Sequence, residues 1–124
     1  MSVGSHRPHP ATLEGTLHNP TRLAVAAFLS ACAEAEFGVV RDHCQVSDSV
    51  MSKAASALDT AGYLGIRKGY VGKRPRTWLS LTPAGHEALA QHVAALQDIV
   101  AAAQHAATSA DARPTTPPGP SPQS

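Results

Sequence analysis

Five of the ten Lys and Arg residues of the chain lie in one short segment, RKGYVGKRPRTWLSLTP, residues 67–83. The segment contains no Asp or Glu, and Gly and Pro interrupt its basic part. Lys and Arg side chains bind phosphate groups and displace the cations condensed around a nucleic acid. The segment is therefore suited to binding a polyanion. A bare run of five charges is equally typical of a solvated loop, so its meaning depends on the elements that position it.

Other residue types give no sign of catalysis or metal binding. The nine acidic residues are scattered singly, and the sequence has no Gly-rich phosphate loop and no nucleophile elbow, so we predict neither enzymatic activity nor a cofactor. Asp42, His43 and Cys44 are metal-ligand types, but consecutive helical residues are turned about 100° from each other and cannot all face one ion. His86 and His92 fall on different faces of one helix, so we predict no metal site.

The composition is that of one small helical domain with tails. Apolar residues make up 43% of the 124 residues, aromatic residues only 4%, and 23 residues are Ala, which favours helices. The net charge is only +1, yet no acidic residue lies between Asp59 and Glu87. The positive charge is therefore concentrated at one edge.

Neither a membrane span nor a signal peptide is apparent. No apolar run approaches the length of a membrane span, and residues 1–12 lack the apolar core of a signal peptide. We therefore predict a cytoplasmic protein without membrane association, in which Cys32 and Cys44 are free thiols. Both are interpreted as small buried apolar groups, with redox sensing as the alternative.

The first half of the chain contains the signals of three helices. The first is predicted to begin at Asn19, because Asn caps helices and Pro20 suits the first helical position. Its apolar face is predicted from helical spacing: Leu23, Ala27 and Ala31, widened by Ala26, Phe28 and Leu29. A short second helix fits residues 37–44.

The third helix is predicted over residues 47–61. Ser47 caps it, Asp48 favours its positive end, and Gly62 ends it. Its apolar stripe has spacings of four and three: Met51, Ala55 and Leu58. The short turn between the second and third helices is typical of a helix-turn-helix.

After the third helix the apolar period changes from 3.6 to 2, which indicates strands. Leu64 and Ile66 alternate with Gly65 and Arg67, and Thr77, Leu79 and Leu81 face the side opposite to Arg76, Trp78 and Ser80. We therefore predict a two-stranded antiparallel hairpin with a tip that contains Gly and Pro. Residues 67–77 of this hairpin are called the wing below.

A last helix is predicted from Pro83, capped by Thr82, to about residue 107. Its apolar residues step 4-3-4-3 in a heptad-like seam, which predicts a partner helix and hence a homodimer interface: Leu89, Val93, Leu96, Val100 and Ala103. The domain is predicted to span residues 13–107, between a disordered arm, 1–12, and a disordered Pro-rich tail, 108–124. The predicted fold class is mainly α with a small β-hairpin, a winged helix-turn-helix with a C-terminal dimerisation helix.

Three stretches within residues 17–100 carry a resemblance to a known family: LHNPTRLAVAAFL, VSDSVMSKAASALDTAGYL and GKRPRTWLSLTPAGHEAL. Together they resemble the small MarR-like winged helix transcriptional regulators. The resemblance implies a homodimer that binds double-stranded DNA and represses or activates nearby promoters. It also implies that the third helix enters the major groove, while the wing lies along the backbone or the minor groove.

The resemblance implies which residues face DNA. On the third helix they are Asp48, Ser49, Ser52, Lys53 and Ser56. On the wing they are Lys68, Lys73, Arg74 and Arg76. Val50 stands where the family commonly has a polar residue, and the third helix offers few long hydrogen-bond donors. Lys53 is its best candidate for a guanine contact.

We therefore expect a sequence-specific DNA-binding regulator, acting as a repressor, on an imperfect palindrome with half-sites about one helical turn apart. A small molecule, a redox event or another protein could be the effector that releases it. The alternative is a winged helix that serves as a protein–protein interaction module without specific DNA binding. Continuous positive charge across the wing and the third helix would favour DNA.

Overall fold

The computed structural model describes residues 14–111. Its helices are α1 (Pro20–Ser30), α2 (Phe37–Cys44), α3 (Asp48–Thr60) and α4 (Pro83–Asp111). Its strands are β1 (Ala35–Glu36), β2 (Leu64–Val71) and β3 (Arg74–Leu81). The predicted fold class is confirmed, since the described residues form four helices and a small antiparallel sheet. The predicted arm, 1–12, and residues 112–124 of the predicted tail lie outside the described residues, whereas residues 108–111 still belong to α4.

The helix ends follow the predicted capping signals. Asn19 Oδ1 accepts hydrogen bonds from the backbone N–H groups of Thr21 and Arg22, at 3.0 and 3.1 Å. Ser47 Oγ accepts from the N–H of Val50 at 3.2 Å, so Ser47 caps α3 as predicted. Gly62, which follows α3, has φ 83°, a conformation that glycine adopts without steric cost.

One core joins α1, α3 and the sheet. Its fully or almost fully buried apolar residues include Val25, Ala26, Leu29, Met51, Leu58, Leu64 and Leu79. The predicted stripe of α3 is therefore confirmed. The predicted face of α1 is confirmed in part: Ala26 and Leu29 are fully buried, whereas Ala27 and Ala31 are exposed and Leu23 is half-buried. In a helix so rich in Ala several spacings fit equally well, and the larger Val25 and Leu29 decide which face is buried.

The sheet has three strands in the order β1-β3-β2, all antiparallel to their neighbours. In the hairpin, Leu64 lies opposite Leu81 and Val71 lies opposite Arg74. The turn is therefore only Gly72 and Lys73, and Gly72 has φ 64°. The hairpin is longer than predicted, and Pro75, expected at its tip, is part of β3. Strand β1 was not predicted.

The first half of α4 packs on the domain through Ala88, His92 and Ala95, which are all buried. His92 Nδ1 accepts a hydrogen bond of 3.0 Å from the backbone N–H of Glu14, and the ring of His18 meets the His92 ring edge-on at 5.8 Å. Burial and the neighbouring His18 lower the pKa of His92, while Glu14 opposes them. This contact ties the short 3₁₀ helix Gly15–His18, which was not predicted, to α4.

The second half of α4 is exposed from Gln97 onward over the residues whose burial is described. Across residues 14–111, no helix combines the length and the apolar character that crossing a membrane requires.

Candidate nucleic-acid interface

The five predicted binding residues of α3 are all exposed: Asp48, Ser49, Ser52, Lys53 and Ser56. They lie away from the stripe of Met51 and Leu58, which faces the core. Because the helical period sets this arrangement, one side of α3 anchors the helix while the other side is presented to solvent. Lys53 is the only cation of α3.

Asp48 already has a partner within the fold. Its Oδ1 lies 2.7 Å from Nη1 of Arg41 on α2, and Arg41 Nε also bonds Asp42 Oδ1 at 3.0 Å. The hydrogen bonds that Arg41 donates to Asp42 and Asp48 raise the pKa of Arg41 above its ordinary value. The pair links the two helices of the helix-turn-helix, so Asp48 has a positioning role whether or not it also contacts a ligand.

Three of the four predicted cations of the wing are free of ion pairs within residues 14–111, namely Lys68, Lys73 and Arg74. All three are exposed, and Lys73 and Arg74 lie at the turn. The fourth, Arg76, is half-buried and its Nε lies 2.6 Å from Glu36 Oε2.

Arg67 is held in a similar way by Glu34. Its Nη2 lies 2.5 Å from Glu34 Oε1, and its guanidinium lies over the ring of Trp78 at 4.3 Å from the ring centre. The hydrogen bond from Arg67 lowers the pKa of Glu34 and raises that of Arg67. A cation over an indole face is attracted by its π electrons.

Sequence reasoning missed Glu34 and Glu36. Both precede α2 in the connection that contains β1, and Glu36 lies opposite Trp78 in the sheet register. The only signal in the sequence is two carboxylates, spaced as alternate residues, in a chain whose wing lacks its own acids. That spacing alone does not reveal a strand, because two residues cannot display a period.

A cleft of about 600 Å³ separates α2 and α3 from the wing. Ser52 of α3 and Pro75, Arg76 and Thr77 of the wing border it. On the other side of α3 is a notch of about 210 Å³ lined by Asn19, Thr21, Arg22, Val50, Lys53 and Ala54. α3 therefore forms a ridge between the cleft and the notch. Both α3 and the wing border the cleft.

The free positive charge of this surface is distributed unevenly. Of the cations on α3 and the wing, four have no carboxylate partner among residues 14–111: Lys53, Lys68, Lys73 and Arg74. Roughly 6–10 phosphate contacts give a DNA-binding protein a steep salt dependence, so two copies of this surface would be needed to reach that number. Arg67 and Arg76 join them only if Glu34 and Glu36 are displaced.

The predicted dimer seam is an exposed apolar stripe on α4. Val93 is 38% exposed and Val100 53%, and Leu89 and Leu96 are half-buried. Val93, Leu96, Val100 and neighbouring residues line a groove of about 290 Å³. Such a stripe on a helix end that nothing else in the described chain covers is typical of an interaction surface.

Thiols and potential metal ligands are not gathered at this surface. Cys32 and Cys44 are free and half-buried, and burial raises the pKa of the Cys44 thiol, which disfavours the reactive thiolate. In the part of the chain that the structure describes, no three His, Cys, Asp or Glu side chains are arranged to hold a metal ion.

Comparison with known sequences gives one family. The model of the family described as winged helix DNA-binding domain matches residues 21–100. No curated protein matches the sequence significantly.

Solved structures share the fold. A transcriptional regulator homologue from Pyrococcus horikoshii OT3 is 22% identical, with a TM-score of 0.67 over 73% of this chain and 89% of that one. A MarR family transcriptional regulator from Silicibacter pomeroyi DSS is 25% identical, with a TM-score of 0.57 over 71% and 58% of the two chains. A variant of Lactococcus lactis ZitR in complex with DNA is 14% identical, with a TM-score of 0.52 over 73% and 60%. The predicted winged helix architecture and its likeness to MarR-family regulators are confirmed.

Proposed function

Because the chain belongs to the winged helix DNA-binding domain family and has the fold of MarR-family transcriptional regulators, we propose that it is a sequence-specific DNA-binding transcriptional regulator. One observation carries the proposal. The exposed Ser52 of α3 and Pro75, Arg76 and Thr77 of the basic wing border the same cleft. A single duplex could therefore engage both elements.

In this proposal α3 enters the major groove. The groove is wide enough for a helix and displays hydrogen-bonding edges that differ among the four base pairs. Lys53 would donate to guanine, and Ser49, Ser52 and Ser56 would bond base edges or phosphates. Because the serines are short, the helix would have to lie deep in the groove to use them.

The wing would supply most of the affinity by contacting the backbone or the minor groove. Lys73 and Arg74 lie at its exposed end, and Lys68 lies further along β2. Each phosphate contact releases condensed counterions, so binding would weaken steeply as salt rises. On binding, the guanidinium of Arg76 would release the Glu36 carboxylate and bind a phosphate oxygen instead, since both groups are anions.

We further propose a homodimer that pairs through the seam of α4, Leu89 to Ala103. An isologous dimer presents two α3 helices, which fits half-sites about 34–36 Å apart on an imperfect palindrome. The protein would repress by occupying a promoter and excluding the polymerase. A small-molecule or protein effector that changes the separation of the two α3 helices would release it.

The test is binding to a labelled random duplex pool at two salt concentrations, with dimer formation checked by sedimentation. The variant Lys73→Ala, Arg74→Ala, Arg76→Ala should lose binding. Lys73→Arg, Arg74→Lys, Arg76→Lys is the matched control, because it keeps the charges and should still bind. Sequencing the bound pool gives the operator.

A protein–protein interaction module is the second candidate function. Its support is the pairing of Arg41, Arg67 and Arg76 with carboxylates, which reduces the free positive charge around the cleft. This candidate predicts that a folded dimer binds no duplex even at low salt. That result would reject the DNA proposal.

A further inference from the structure

Val50 is the one large apolar side chain of α3 that is exposed. It lies in the first turn of the helix and is 41% exposed, whereas Met51 and Leu58 are fully buried. It makes no contribution to the apolar stripe that anchors α3. The fold therefore leaves an exposed apolar side chain at the edge of the face that would meet DNA, next to Lys53.

The surroundings of Val50 are polar. It lines the notch beside α3 together with Lys53, Asn19, Thr21 and Arg22. Val50 and Lys53 are three residues apart, so their Cβ atoms are neighbours on the helix surface, about 5–6 Å apart. The rise between stacked bases is about 3.4 Å, so two such side chains reach targets within one or two base pairs of each other.

The major groove offers a suitable partner for an apolar side chain. Among its base edges only thymine presents a methyl group, and apolar side chains distinguish thymine through it. With one long donor on α3, hydrogen bonds alone can specify few base pairs. A methyl contact adds specificity without a further donor.

We propose that Val50 recognises a thymine of the operator through its 5-methyl group, within two base pairs of the site that Lys53 contacts. The inference rests on the proposed function, since it needs α3 in the major groove. The thymine contact specifies one base that the operator must contain. The resemblance to MarR-family regulators specifies no such base.

The experiment uses an operator duplex selected by the wild-type protein from the random pool. Each thymine is replaced in turn by uracil, which removes only the methyl group. In each half-site, one replacement should weaken binding about fourfold, the factor expected for one buried methyl group. Val50→Ala should bind the thymine operator more weakly and should not distinguish thymine from uracil at that position.

Ile99→Ala is the control, because Ile99 is an exposed β-branched residue of α4, 52% exposed, that lines neither the cleft nor the notch beside α3. It should keep the thymine preference, and thermal unfolding should show that both variants are folded. Equal binding of thymine and uracil duplexes by the wild type would overturn the inference, as would the same uracil penalty in Val50→Ala. If the wild type selects no duplex at all, the proposed function itself fails, and this result is distinct from selection without methyl dependence.

Discussion

Helix α3 and the wing form the two halves of the proposed DNA surface, and the fold holds them in opposite ways. α3 buries Met51, Ala54, Ala55 and Leu58 and carries a single cation. No residue of the wing, 67–77, is buried, yet the wing carries five cations. Core packing therefore fixes the helix, while the wing depends on its own hairpin and on two ion pairs with Glu34 and Glu36.

The difference bears on two properties of the proposed DNA surface, its selectivity for bases and its affinity. Ion pairs that solvent can reach contribute little to stability, so the wing can change its contacts at small cost. Displacing α3 would expose fully buried apolar side chains, which is far more costly. In the proposed function, base selection would therefore belong to the rigid helix and salt-dependent affinity to the adaptable wing.

The largest expected effect comes from loosening the anchor of α3. Leu58 is fully buried in the core, so Leu58→Ala should lower the free energy of unfolding by about 3 kcal/mol, measured by urea denaturation. Val71→Ala in the wing is the control, and because Val71 is exposed its effect should stay within about 0.5 kcal/mol. Similar losses in the two variants would contradict the comparison.

The base of the wing, unlike its tip, is tightly packed, and Gly85→Ala tests this. A Cβ at Gly85 would lie 2.5 Å from the carbonyl oxygen of Tyr63 and 2.7 Å from Leu81 Cδ1. We expect a loss of about 2 kcal/mol in unfolding free energy from this overpacking.

Gly15→Ala is the matched control for that substitution, because no atom lies within 4 Å of the Cβ it would add. It should be close to neutral in the same denaturation experiment. If Gly85→Ala were equally neutral, the start of α4 would be free to move relative to the strands, and the wing would lack a rigid base.

Glu36→Gln tests whether the wing can exchange an ion-pair partner for DNA. Removing the carboxylate charge leaves Arg76 available for phosphate, so DNA binding should tighten about threefold. The slope of log affinity against log salt should stay the same, because in the proposal Arg76 contacts a phosphate in the wild type as well. Glu87→Gln, an exposed carboxylate of α4 without an ion pair in residues 14–111, should change neither quantity. An unchanged affinity in Glu36→Gln would mean that Arg76 does not reach DNA.

The smallest effect concerns the protonation of Glu34. Its pKa is below the ordinary value because of the hydrogen bond from Arg67, so the pair stabilises the fold above the pKa of the unfolded chain. That contribution disappears as the pH falls through the lower pKa of the folded state. NMR titration of the side-chain carboxyl should show the pKa of Glu34 rising toward its ordinary value in Arg67→Gln. An identical titration in wild type and variant would show that the pair does not form in solution.

Local signals predicted most of this fold. The bounds of α2 are those expected from the sequence, and Ser47 and Gly62 delimit α3 because capping depends only on neighbouring residues. The buried face of α1 was predicted only in part, because small Ala side chains give little contrast between faces. Sequence patterns could not reveal β1, since it exists only through pairing with distant residues of β3.

Pro75 shows the same limit at the candidate site. Proline usually marks a turn, yet here it continues β3, the middle strand of the sheet. β1 pairs only with Trp78 and Leu79, so the side of β3 at Pro75 that faces away from β2 is open and needs no amide donor. The ion pair of Arg76 with Glu36 was hidden for the same reason, because its partner comes from β1.

The hydrogen bond between the backbone of Glu14 and the ring of His92 also fixes a tautomer. The amide donates to Nδ1, so this nitrogen carries only a lone pair and the neutral imidazole keeps its hydrogen on Nε2. Protonation of Nδ1 would bring two hydrogen-bond donors, the Glu14 amide and the new N–H of the ring, against each other beside the ring of His18. The 3₁₀ helix is thus attached to α4 by a hydrogen bond to the lone pair of His92 Nδ1. This hydrogen bond holds at neutral pH and weakens in acid, because the imidazole becomes imidazolium.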